Sequence, residues 1–269
     1  MSNKKAAVVT GAARGLGAEV AKTLAKTGWD LLLVDICQDD PDIPYALANQ
    51  SDLADTLAAC RALAGNDTDI ETAQADVRNQ AQLDQALALA RDRFGGLDAA
   101  IAAAGVIAGG VPGWETRDEV WHAMLEVNLT GVWRLARAAV PALLSRPEPR
   151  QGRFIAISSV AGLRGFPSLA AYSAAKHGLI GFIRSIAAEL GSSGVTANVV
   201  CPGSMDTAML AATADIYGLP DVHEFANYHR YKRLLEAGEV ARAVAWLSSG
   251  DSSGMTGSVL TVDAGMTSS

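Results

Sequence analysis

The stretch AAVVTGAARGLGAEVAKTLAK, residues 6 to 26, decides the fold. Ala6 to Val9 is a short apolar run of the kind that forms a buried strand. Gly11, Gly15 and Gly17 follow, and Ala18 to Lys26 is helix-forming with one apolar side. Strand, glycine turn and helix in that order are the setting a dinucleotide-binding loop requires. The glycines permit a tight turn and let backbone approach a pyrophosphate, which rests on the helix N-terminus. The spacing is G-x-x-x-G-x-G rather than G-x-G-x-x-G. By itself it is a partial signal, with an ordinary glycine turn as the plain alternative, so the rest of the chain has to agree.

Two further stretches agree. A second strand, Asp30 to Val34, ends in Asp35, 18 residues after Gly17. An acid there is placed to hydrogen-bond adenosine ribose hydroxyls, and it repels a 2′-phosphate, which argues for NAD over NADP. Arg14 in the glycine loop pulls the other way, because a basic side chain can pair with that phosphate; Asp35 is expected to prevail. The run SVAGLRGFPSLAAYSAAK, residues 159 to 176, brings Ser159, Tyr172 and Lys176. Four residues is about one helical turn, so Tyr172 and Lys176 share a helix face. A lysine ammonium there is expected to ease ionisation of the phenol. Ser159, at a strand end, is placed to hydrogen-bond a substrate oxygen. Such a set moves a proton to or from an alcohol or carbonyl while a cofactor moves hydride.

Strands are expected near 6–10, 30–35, 70–76, 97–103, 152–158, 195–200 and 258–262. Helices are expected near 15–27, 51–64, 79–94, 118–145, 170–191 and 237–249. This alternation predicts an α/β fold: one Rossmann domain over 1–269, with a doubly wound, seven-stranded parallel sheet. There are no repeats or linkers, and SRPEPRQG, 145 to 152, reads as a turn. With 49% hydrophobic residues the chain can fill both faces of such a sheet. A net charge of −7 and the absence of a basic patch argue against nucleic acid. No apolar run is long enough to span a membrane. MSNKK runs into the first strand without an apolar leader, and Cys37, Cys60 and Cys201 are scattered; a cytoplasmic protein is expected. His122, His177, His223 and His229 do not cluster. They read as surface or pocket residues, and no metal is expected.

On these motifs the chain resembles the short-chain dehydrogenase/reductase family over nearly its whole length. The family's TGxxxGxG pattern is matched from Thr10 to Gly17, its Asp-Val pair by Asp76 and Val77, and its active-site Asn by Asn128 in EVNLTGVW. Ser159, Tyr172 and Lys176 match its catalytic Ser, Tyr and Lys. Pro202, Gly203 and Thr207 match the element after the sixth strand, and TGSVLTVDAG, Thr256 to Gly265, matches the last strand. One departure stands out: the family's NNAG is here Ala102-Ala103-Ala104-Gly105, so two amide side chains that stiffen the sheet are missing.

The resemblance implies a catalytic set of Asn128, Ser159, Tyr172 and Lys176. The cofactor site it implies comprises Gly11, Arg14, Gly15, Leu16, Gly17, Asp35, Ile36, Asp76, Val77, Ala104, Gly105, Tyr172, Lys176, Pro202, Gly203, Met205 and Thr207. Tyr172 as phenolate would take the hydroxyl proton while hydride leaves for the nicotinamide. Ser159 would hold the oxygen, Lys176 would lower the Tyr172 pKa and bind the nicotinamide ribose, and Asn128 would anchor a relay water. The family likeness also implies a homotetramer built on the helices around Asn128 and Tyr172, with Trp133, Ala136 and Val140 as candidate contacts.

A narrower likeness concerns residues 36–50. ICQDDPDIPYALANQSDLADT is a long acid-rich passage from Asp35 to the next helix. With LARAAVPALLSRPEPRQGRF and PGSMDTAMLAATADIYGL it is similar to the mycofactocin-coupled, carveol-dehydrogenase-like subgroup. That likeness implies an insert covering bound NAD and mycofactocin as electron acceptor; a tolerated surface loop is the plain alternative. Residues 204–233 are the least regular and are expected to form a substrate lid. Met205, Met209, Leu210, Tyr217, Leu219 and Phe225 are its apolar lining, with Trp114, Leu163 and Phe166 adding to it. The expected substrate is a small hydrophobic alcohol or ketone. The rival readings are a conventional NAD(P)-exchanging reductase of 3-oxoacyl or sugar type, and a non-catalytic NAD-binding module.

Overall fold

A computed structural model describes residues 4–268. Met1, Ser2 and Asn3 of the MSNKK start, and Ser269, lie outside the described residues. Seven parallel strands form one sheet in the order β3-β2-β1-β4-β5-β6-β7. They are β1 Ala6–Thr10, β2 Asp30–Asp35, β3 Ile70–Gln74, β4 Ala99–Ala102, β5 Arg153–Ile157, β6 Thr196–Pro202 and β7 Val259–Val262. The order reverses between β1 and β4, and in such sheets ligands bind at that switch point, beyond the carboxyl ends of the strands.

Side chains alternate across each strand, so neighbouring residues belong to different layers. Val8, Leu32, Val34, Ala100 and Phe154 pack toward one face. Ala7, Val9, Leu31, Leu33, Ile101 and Ile155 pack toward the other. Helices α3 Gln80–Phe94, α5 Gly131–Leu144 and α6 Ala170–Leu190 cover the first face. The second is covered by α1 Gly15–Lys26, α2 Gln50–Leu63 and α8 Ala237–Ser248. Both faces being covered explains why β1, AAVVT, is buried at every position instead of alternating.

Two elements differ from the sequence expectation, and the insert adds a third feature. The helix expected over 118–145 is present but not regular: α4 Asp118–Leu125 widens into a π-turn, Glu126–Thr130, and continues as α5. Such turns insert one residue and mark sites where a side chain must be re-aimed; Asn128 lies in this one. The lid contains a helix not expected from sequence, α7 Ala208–Tyr217, followed by a 3₁₀ segment Val222–Tyr228. Thr207 caps α7, its hydroxyl accepting from the Leu210 amide, and Gly218 ends it in a left-handed conformation at φ +63°. The insert has no regular structure, but it is ordered by its own side chains. The Asp39 carboxylate accepts from the Leu47 amide and Asp40 from that of Asp42, while Asn49 and Asp52 form a capping box that starts α2.

Candidate active site

The carboxyl ends of β1, β2, β4, β5 and β6 open into one continuous cavity of about 1310 Å³. Every residue expected to bind cofactor lines it, as do Ser159, Tyr172 and Lys176. Asn128 does not line it; it lies fully buried behind the wall.

One arm fits a dinucleotide. Gly11 and Gly15 adopt φ of +68° and +58°, open to glycine at little cost. A Cβ on Gly11 would lie 2.6 Å from the Ala104 Cα, and one on Gly17 would lie 2.0 Å from the Gly11 carbonyl oxygen. Only glycine lets the β1 loop meet the β4 loop and the first turn of α1 this closely. No side chain caps the α1 N-terminus, and its first turn holds no acid, so its free N–H groups suit an anion. Asp35 accepts from the Ala13 amide at 3.0 Å and the Cys37 amide at 3.1 Å. Those bonds hold the carboxylate at the edge of the cavity. Arg14 is not free to seek a phosphate: it donates to the Ala46 carbonyl at 2.7 Å, tied down by the insert.

The missing amides at Ala102 and Ala103 are offset by Thr10. Its hydroxyl donates to the Ile101 carbonyl and accepts from the Ala104 amide, both at 3.4 Å, stitching β1 to the turn after β4. Asp76 and Val77 line the cavity as expected. The Asp76 carboxylate, though, is taken up by Arg78 at 2.7 Å. Arg78 also reaches Asp40 of the insert at 2.6 Å. Arg78 was not singled out in the sequence, because its partners come from two distant loops. Tyr45 adds a third tie, its hydroxyl accepting from the Ile107 amide at 3.2 Å. The insert therefore spans the groove, and Ile36, Asp40, Tyr45, Leu47 and Ala48 all line it.

The chemistry lies deeper. Ser159 accepts from the Ala161 amide at 3.1 Å, which orients its hydroxyl and leaves its proton to donate. Tyr172 and Lys176 share a face of α6, with the ammonium 5.6 Å from the phenol ring centre. Lys176 donates to the Ile157 carbonyl at 2.9 Å. Burial pushes Tyr172 up to about 12, and a hydrogen bond donated by Ser159 pulls the other way. Burial pushes Lys176 down to about 8. The expected lowering of the phenol by the lysine is not found in the protein alone: both groups are enclosed, desolvation disfavours both charged forms, and the lowering influence is Ser159. The Asn128 amide donates to the carbonyls of Val106 and Met124, each at 3.0 Å, and its oxygen accepts from the Val106 amide at 3.2 Å. Both its N–H groups are committed, so only the oxygen is left for a relay water.

The second arm is apolar. Phe166, Met205, Met209, Leu210, Tyr217, Leu219 and Phe225 line it as expected. Tyr217 donates to the Pro167 carbonyl at 2.8 Å, latching α7 to the segment after Ser159. Trp114 and Leu163 do not line it. Trp114 sits on a 3₁₀ turn, Gly113–Glu115, and is 87% exposed; Leu163 ends another short turn and also faces outward. His229, expected at the surface or in the pocket, is in neither place: it is 1% exposed and lies outside the cavity wall. Among the described residues no cluster of His, Cys, Asp or Glu could hold a metal, and no helix is long and apolar enough to cross a membrane.

A family model described as "Enoyl-(Acyl carrier protein) reductase" matches residues 11–267. An uncharacterised oxidoreductase of Mycobacterium tuberculosis (strain CDC 1551 / Oshkosh) is 36% identical, covering 97% of this chain and 95% of its own. The (-)-trans-carveol dehydrogenase of Rhodococcus erythropolis is 35% identical, covering 97% and 96%. Among solved structures, carveol dehydrogenase from Mycobacterium avium in complex with NAD superposes with a TM-score of 0.92. It is 35% identical and covers 98% of each chain. The glycine loop, the Ser-Tyr-Lys set and these matches together lead to one conclusion: the chain belongs to the short-chain dehydrogenase/reductase family.

Proposed function

We propose that this protein is an NAD-dependent alcohol dehydrogenase/carbonyl reductase that interconverts a hydrophobic secondary alcohol and its ketone. The observation that carries the reading is that Ser159, Tyr172 and Lys176 meet in one cavity, with a glycine-lined arm ending at Asp35 on one side and an apolar arm under α7 on the other. The α1 N-terminus would hold the pyrophosphate, Asp35 the adenosine ribose, Lys176 the nicotinamide ribose, and Pro202 to Thr207 the nicotinamide end. When bound, the dinucleotide supplies the hydride acceptor or donor. The protein does the rest. Ser159 donates a hydrogen bond to the substrate oxygen, and Tyr172 takes or returns the hydroxyl proton. Asn128 holds the Val106 backbone, and with it the β4 loop, against the reacting end. The apolar arm excludes water and accepts an uncharged substrate.

We further propose that the nucleotide stays bound between turnovers and is reoxidised by mycofactocin, because Arg78, Arg14 and Tyr45 pin the insert across the groove. A homotetramer is proposed from the apolar surface formed by Trp133, Val140 and Leu144 on α5 with Phe182 and Ile186 on α6. Three free, buried cysteines suit a cytoplasmic location.

The deciding experiment denatures the purified protein with no nucleotide added and identifies what is released, alongside alcohol-dependent reduction of an artificial acceptor. About one NAD(H) per chain together with acceptor reduction supports the whole reading. Empty protein that turns over free NAD(P)H favours the conventional exchanging reductase of 3-oxoacyl or sugar type. Bound nucleotide with no turnover of any alcohol favours a binding module.

A further inference from the structure

His229 lies in a polar stretch, NYHRYKR, yet its side chain is almost completely buried. Its Nε2 faces the Ser204 amide at 3.1 Å, and its Nδ1 faces the Arg233 carbonyl at 2.6 Å. A backbone N–H only donates and a carbonyl only accepts. The ring must therefore be neutral, with its proton on Nδ1 and its lone pair on Nε2. It also packs against Gly203, where a Cβ would come within 3.1 Å of Nε2.

Ser204 begins the lid and Arg233 ends it, so one imidazole ties the two feet of a 30-residue segment. The backbone closes the same junction. Leu235 donates to the Ser204 carbonyl at 3.0 Å, Asp206 to the Leu235 carbonyl at 3.2 Å, and Gly203 to the Val262 carbonyl at 3.0 Å. Above this junction Pro202, Gly203, Ser204 and Met205 form the cavity wall nearest the catalytic end.

We infer that His229 is a positioning residue for the reaction: as the Nδ1–H tautomer it fixes the Pro202–Met205 wall against the nicotinamide end of the cofactor, touching neither cofactor nor substrate. The inference rests on the proposed placement of the nicotinamide along that wall. The adenosine end, at Asp35 and Asp76, is held by other loops and should not respond to residue 229.

The test compares His229→Phe, which keeps a ring but loses both hydrogen bonds, with His229→Gln, which keeps a donor and an acceptor. In His229→Phe, affinity for NAD⁺ is expected to fall about five- to tenfold, since part of the cost of losing these bonds is shared by the free protein. Where nucleotide copurifies, its release rate should rise by the same factor. The alcohol KM should rise while kcat changes less, ADP should bind within about twofold of wild type, and His229→Gln should recover most of the loss. In wild-type protein, ¹⁵N correlation spectra should report the Nδ1–H tautomer for the ring signal missing from the variants; this holds even where His229→Phe does not fold. An Nε2–H or doubly protonated ring, equal weakening of NAD⁺ and ADP, or no change in either overturns the inference. Unchanged NAD⁺ binding in both variants, with Tyr172→Phe inactive, removes the role of His229 and leaves the active-site reading intact.

Discussion

Tyr172 carries the sharpest residue-scale expectation. Replacing it with Phe removes the proposed acid-base group at the reacting oxygen, and turnover should drop by about 10³-fold or more while nucleotide remains bound. Turnover near wild type in that variant contradicts the mechanism. Burial sets the pH behaviour. With the phenol pushed up to about 12, the phenolate needed for alcohol oxidation is scarce at neutral pH and grows as pH rises. The kcat/KM for oxidation should therefore climb through the alkaline range, whereas carbonyl reduction, which uses the protonated phenol, should not. A flat oxidation profile between about pH 7 and 9 speaks against Tyr172 as the base. Asp35 gives a second expectation. Asp35→Asn removes the charge that repels a 2′-phosphate, so the preference for NAD⁺ over NADP⁺ should narrow by about tenfold or more in binding titrations. Adding Arg14→Ala should change little, because Arg14 is already bound to the Ala46 carbonyl.

At the scale of elements, the proposed cofactor binding depends on two junctions. The first is where α1 meets the β1 loop. Gly17→Ala would set a methyl 2.0 Å from a backbone oxygen, so α1 has to shift away from the loop proposed to cradle phosphate. The melting temperature should fall and nucleotide binding should be lost together; a variant that binds NAD⁺ normally refutes the close packing. The second is the insert. Arg78→Ala leaves Asp40, a buried carboxylate, without its ion-pair partner and, among the described residues, with only the Asp42 amide bonded to it. The covering role predicts that bound NAD(H) then leaves at least tenfold faster, measured by trapping released nucleotide. Unchanged release makes residues 36–50 a surface loop and nothing more. The π-turn at Glu126–Thr130 belongs to this scale too: it carries Asn128, whose amide is bonded to the Val106 carbonyl.

For the whole molecule, the sheet is closed on both faces by helices, except that α5 and α6 leave Trp133, Val140, Leu144, Phe182 and Ile186 at the surface. A proposed tetramer buries them. Trp133→Glu combined with Phe182→Glu should reduce the mass seen by light scattering to that of a smaller assembly, with the fold retained by circular dichroism. Unchanged mass places the subunit contacts elsewhere.

What the sequence determined by itself was whatever depends on short spacings. Alternating apolar runs set the strands and helices, glycine spacing set the β1 turn, and a four-residue step put Tyr172 and Lys176 on one face. The acid ending β2 and the serine ending β5 were legible because strand ends in this fold converge on one edge. Tertiary structure decided the rest, because it depends on partners far apart in the chain. Arg78 joins two loops, Thr10 stitches the turn that lost its amides, and Asn128 spends its N–H groups on backbone. Trp114 turns outward, and His229 is buried between the feet of the lid. The direction of the Tyr172 shift was decided there as well: spacing shows which charge is near, but only the packed protein shows how much water has been removed.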